Sequence, residues 1–129
     1  MRILLDTHCW LWMLAEPERL KEGSRRLLAA EENELFLSAA SAWEIAIKFS
    51  IGRLRLPGDP AALVPACLAK SRTSALAVEH DHALRVATLP PHHRDPFDRM
   101  LVSQAQIERL PIMTSDKQFA SYDVELLPA

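Results

Sequence analysis

Short apolar runs alternate with segments of helical period along almost the whole chain. "RILLD" (2–6) is an apolar run closed by an acid, the pattern of a buried parallel strand. "HCWLWMLAEP" (8–17) reads as a helix ending before Pro17, and 20–31 as a second helix carrying Leu20, Leu27, Leu28 and Ala30. "ELFLSA" (34–39) is the next strand. The clearest helix is "SAWEIAIKFSIG" (41–52): Ala42, Ile45, Ala46 and Phe49 share one face, Gly52 is a natural stop, and Ser41 with Glu44 spells a capping box. Asp59-Pro60 opens a helix over 59–70 that Pro65 should bend, and "ALAVE" (75–79) is a weaker strand. A short helix follows at 81–88, then a longer one over 96–109, whose polar stripe Arg99, Ser103, Gln106 and Arg109 leaves its other faces to the core. "PIMTSD" (111–116) and "VELL" (124–127) are the last strands.

This alternation predicts βαβ units and an α/β fold with a mainly parallel sheet covered on both faces. A length of 129 residues fits one domain, 1–129, with no repeat or linker to divide it. A hydrophobic share of 49% and a charged share of 25% are those of a soluble globular protein. No run is long enough to span a bilayer, and "MRILL" meets Asp6 too early to be a signal peptide. Cys9 and Cys67 match no metal or disulfide spacing, which predicts reduced thiols in a cytoplasmic protein.

Acidic placement changes the picture. Asp6 and Asp116 each follow a strand, whereas Glu44 and Asp98 fall in the first turns of helices. In a parallel sheet all four positions belong to the carboxyl edge, where sites form. Each has a plainer use as a turn or helix-capping residue, and one shared site accounts for all four together. Two carboxylates about 5 Å apart repel by roughly 3 kcal/mol at an effective dielectric of about 20, so such a cluster needs protons or a cation. Hard oxygen ligands select Mg²⁺ or Mn²⁺, and ions so held suit phosphodiester hydrolysis. The net charge of −2 does not exclude a nucleic-acid partner, because setting aside four sequestered carboxylates leaves +2 on the remaining surface.

The blocks "ILLDTHCWLW", "LSAASAWEIAIKFSIGRLRL", "LPPHHRDPFDRMLVSQA" and "IMTSDKQFASYDVELL", in that order, resemble PIN-domain ribonucleases, and more narrowly the VapC-type toxins of bacterial type II toxin–antitoxin pairs. Only 57–75 lacks a recognisable block. The resemblance implies a three-layer α/β/α sandwich, an acidic Mg²⁺ (or Mn²⁺) pocket, RNA as substrate and a cognate antitoxin that covers the pocket. It carries the acidic quartet onto Asp6, Glu44, Asp98 and Asp116, as metal ligands and catalytic groups. Around them Thr7, Ser41, Arg94, Asp95, Arg99, Thr114 and Ser115 are candidates for supporting the acids or meeting substrate, with Asp95 an N-cap first and a ligand second.

The five histidines do not make a zinc site, since neither cysteine is spaced to complete tetrahedral ligation. His93 is a phosphate contact or a loop residue, and Arg94 and Arg99 hold RNA phosphate or pair with a local acid. Lys48, Arg53 and Arg55 read more safely as a solvated face than as a basic track, and the tryptophans as core or interface rather than base-stacking platforms. The apolar "CWLWML" suits a homodimer, an antitoxin groove or plain burial, and a homodimer is expected. The alternatives are an RNA-processing PIN nuclease without a toxin role and a non-catalytic PIN-like binding module. A receiver-like signalling domain would need a second acid beside Asp6 and a lysine where Asp116 stands.

Overall fold

The computed structural model describes residues 1–129. Strands β1 (Arg2–Leu5), β2 (Glu34–Ser38), β3 (Thr73–Leu76), β4 (Ile112–Thr114) and β5 (Leu126–Pro128) form one sheet, in the order β3-β2-β1-β4-β5. Every pairing is parallel, as runs without polar alternation require when both faces are covered. The helices are α1 (Thr7–Ala15), α2 (Glu22–Ala29), α3 (Ala39–Ser50), α4 (Pro60–Lys70), α5 (His80–Arg85) and α6 (Pro96–Glu108). Short 3₁₀ turns cover Pro17–Arg19, Val86–Thr88 and Lys117–Ser121.

Strand alternation divides the core in two. Ile3, Leu5, Leu35, Leu37 and Met113 pack on one face with Cys9, Trp10, Ile45 and Val64 of α1, α3 and α4. Leu4 and Ile112 pack on the other with Leu101, Val102 and Ala105 of α6 and with Phe119 and Tyr122. The result is the α/β/α sandwich expected from the sequence.

Among the boundaries that differ from the sequence reading, three have a plain local reason. β2 runs into α3 without a loop, and Ser38, the last residue of the strand, is the N-cap, accepting from the Ala40 N–H at 3.0 Å. The helix therefore starts two residues early, and Ser41 with Glu44 is not a capping box. β3 lies at 73–76 rather than 75–79, because its register runs from Leu35↔Thr73 to Ser38↔Leu76 and its partner then turns into α3. β5 likewise begins at Leu126, opposite Ile112. Gly52, at φ +75°, ends α3 as anticipated.

The stripe on α6 is not simply solvent-facing. Ser103 is fully buried and donates to the His82 carbonyl, while Gln106 accepts from Arg85 at 2.8 Å. These polar side chains seat α5 on α6. No helix is long and apolar enough to cross a membrane.

Candidate metal centre

The sheet order reverses beside β1: the chain leaves it for β2 on one side, and β4 returns on the other. At such a switch the carboxyl ends of adjacent strands open a crevice. Asp6 lies at its centre. Its backbone takes the N-cap position of α1, yet its side chain makes no capping bond; Oδ2 instead accepts from Thr114 Oγ1 of β4 at 2.7 Å. Asp6 and Thr114 are both buried, so two strand ends are tied by side chains far apart in sequence.

Glu44 projects from α3 one turn deeper than the sequence suggests and is only 3% exposed. Lys48 Nζ lies 2.7 Å from its Oε2, while Oε1 is buried without a partner. Asp98 opens α6, but the cap is Asp95, whose Oδ1 accepts from the N–H groups of Phe97 and Asp98 at 2.8 and 3.2 Å. That division frees the Asp98 carboxylate and assigns Asp95 the capping half of its expected role. Asp116 does both jobs: Oδ1 caps the last 3₁₀ turn through Gln118 N–H at 2.9 Å, and Oδ2 faces the cluster.

The charges are crowded. Asp98 is pushed up to about 8, chiefly by burial and then by the charges of Asp6, Asp95, Glu44 and Asp116. Asp6 is also raised, mainly by burial, with Glu44 adding to it and the Thr114 hydrogen bond opposing. Burial and then Asp6 drive the neighbouring Cys9 thiol up to about 12, so it is an inert core group.

His93 is the residue that sequence reasoning placed least well. Its Nε2 lies 2.9 Å from Asp98 Oδ2 and 3.2 Å from Asp116 Oδ2, joining two acids. Its Nδ1 accepts the Asp95 N–H at 3.1 Å, which leaves Nε2 facing the two carboxylates. The three side chains are close enough to share an ion. The only sequence signal was its place two residues before the Asp95 cap.

The remaining candidates divide. Thr7 Oγ1 donates to Ser41 Oγ at 2.8 Å, bracing α1 against α3 beneath Asp6 and Glu44. Thr114 also accepts the Asp116 N–H at 3.0 Å, serving two acids at once. Ser115 is exposed, and Arg94 is exposed without an ion pair. Arg99 pairs with no acid. Its guanidinium donates to the carbonyls of Val86, Leu89 and Pro90 and to the Tyr122 hydroxyl, because the loop leading to the motif needs donors for its carbonyls. Trp10 is core and Trp12 stacks under Arg19, whereas Trp43 is 63% exposed, edge-on to Phe97 at 5.3 Å.

The donor set fits a hard divalent ion. It offers carboxylate oxygens, one of them buried and unpartnered on Glu44, and acids too crowded to remain ionised alone.

Among known proteins, the chain is 42% identical over 59 residues to Ribonuclease VapC16 of Mycobacterium tuberculosis. That match covers 46% of this chain and 42% of the relative, less than half of either. Across nearly its whole length it superposes on a chain of VapBC2 from Rickettsia felis bound to a promoter DNA fragment, with TM-score 0.74, 15% identity and 98% of each chain covered. A chain of DNA-bound VapBC from Salmonella typhimurium gives TM-score 0.71 at 16% identity, covering 98% of this chain and 97% of that one. At such identities the likeness is one of fold. Residues 3–125 match the PIN domain family, and the chain belongs to it.

Proposed function

We propose that residues 1–129 act as one nuclease domain that hydrolyses RNA phosphodiester bonds with Mg²⁺ or Mn²⁺ held by Asp6, Glu44, Asp98 and Asp116. In the cell it is the toxin of a type II toxin–antitoxin pair, silenced by a cognate antitoxin. The observation that carries the chemistry is the buried, unpartnered Glu44 Oε1 within a cluster whose charges oppose one another. A divalent ion held by these carboxylates would supply activation of a water and stabilisation of charge on the attacking and leaving oxygens.

The protein's own side chains prepare the site. Thr114 keeps the Asp6 carboxylate aligned at the end of β1. Asp95 takes the helix cap, leaving the Asp98 oxygens to the cluster. His93 holds Asp98 and Asp116 side by side through Nε2. The toxin assignment is supported by the M. tuberculosis relative, named a ribonuclease, and by structural neighbours described as toxin–antitoxin complexes. A homodimer in the cytoplasm completes the reading, with the exposed Trp43 supporting a contact between copies.

The test is RNA cleavage by purified protein. Activity should vanish in EDTA and return with Mn²⁺, and growth arrest on expression should be relieved by co-expressing a cognate antitoxin. Full cleavage in chelator overturns the metal mechanism; growth unaffected by expression overturns the toxin role.

A further inference from the structure

Of the four acids, Glu44 alone has a full positive charge against it, Lys48 Nζ at 2.7 Å. The two share α3 at i and i+4, but they differ in burial: the Glu44 side chain is 4% exposed and that of Lys48 39%. Lys48 thus reaches in from the rim. Together they line a recess of about 260 Å³ with Thr7, His8 and Arg53. The Arg53 N–H donates to the Lys48 carbonyl at 2.8 Å, keeping a second cation at the same rim. Arg53 is exposed and makes no ion pair.

We propose that Lys48 alternates between two anions: it neutralises Glu44 when no divalent ion is bound, and it takes a backbone phosphate of the RNA, seated with Arg53 in this recess, once the ion is in place. The inference rests on the nuclease reading and adds a phosphate subsite to it. A divalent ion among the acids repels the ammonium and draws on the same carboxylate charge. A long, flexible lysine side chain can then turn outward to a phosphate. Lys48 holds Oε2 while Oε1, buried and unpartnered, stays open to the ion, so the two cations share the charge of one carboxylate.

Lys48→Met, a change at the rim, gives two readouts of opposite sign. Calorimetric titration with Mn²⁺, without RNA, should show binding about tenfold tighter than wild type. Affinity for a mixed-sequence single-stranded RNA decamer, measured in Ca²⁺, should fall about tenfold, and its salt slope should shrink by about one. Lys48→Arg should restore RNA binding. A lysine that only orients Glu44 would make Mn²⁺ binding weaker on removal, and weaker or unchanged Mn²⁺ binding overturns the proposal. If wild type binds Mn²⁺ and cuts RNA while the variant binds no tighter, the Lys48 inference alone falls. If wild type binds no Mn²⁺, the nuclease reading falls with it.

Discussion

Two regions of this protein bury polar side chains at similar depth and treat them oppositely. In the seam between α5 and α6, His82 is 1% exposed, with Nδ1 accepting the Glu79 N–H and Nε2 against Glu108, both at 2.9 Å. Ser103 donates to the His82 carbonyl, and the Gln104 amide donates to Ala77, leaving only its Oε1 without a partner. At the carboxyl edge of the sheet, Asp6 and Glu44 are likewise buried and Asp98 half-buried; Thr114, Lys48 and His93 give each one polar partner, and beyond these they face one another's charge. Paired burial fixes one helix on another. Crowding of like charges has no structural return, and in a folded chain such local conflict marks where function resides.

The largest effect expected is on cleavage. Asp98→Asn should lower it at least about a thousandfold while the protein stays folded, because the proposed metal site loses a ligand and no packing is lost. His82→Ala should do the reverse: removing a fully buried ring and stranding Glu79 N–H costs about 3 kcal/mol of stability by chemical denaturation, with cleavage per folded molecule unchanged. If His82→Ala abolished activity in a stable protein, the division between the two regions would fail.

The smallest effect is on pH. Folded Asp98 keeps its proton to about pH 8, against the ordinary 3.8 taken for the unfolded chain. Between those values the folded state holds more protons, so metal-free stability is full below about pH 4 and declines as pH rises towards 8. Asp98→Asn removes this contribution: its metal-free melting temperature should match wild type only below about pH 4 and exceed it at pH 9. An equal slope in both proteins would show that Asp98 is not held protonated.

Much of the fold was legible because apolar runs without alternation belong to strands buried on both faces, and Gly52 and Asp59-Pro60 punctuate as their backbones require. The errors fell where a partner decides. β3 sits two residues early because β2 ends at Ser38, and the α6 stripe is partly buried because α5 lies on it. The candidate site was legible as residue types at strand ends and helix starts. His93 and Lys48 were undervalued, since nothing in a local pattern tells a loop histidine that it bridges two carboxylates, or a lysine one turn along a helix that its partner is buried.

The sequence by itself determined the α/β class, the parallel sheet and which acids stand at its edge, because periodicity and strand-end position are properties of neighbouring residues. Only the tertiary structure decided which carboxylates were capping, that one oxygen of Glu44 was left without a partner, and that Arg99 braces a loop. Those outcomes depend on hydrogen-bond partners and burial contributed by distant segments, and no local spacing encodes them.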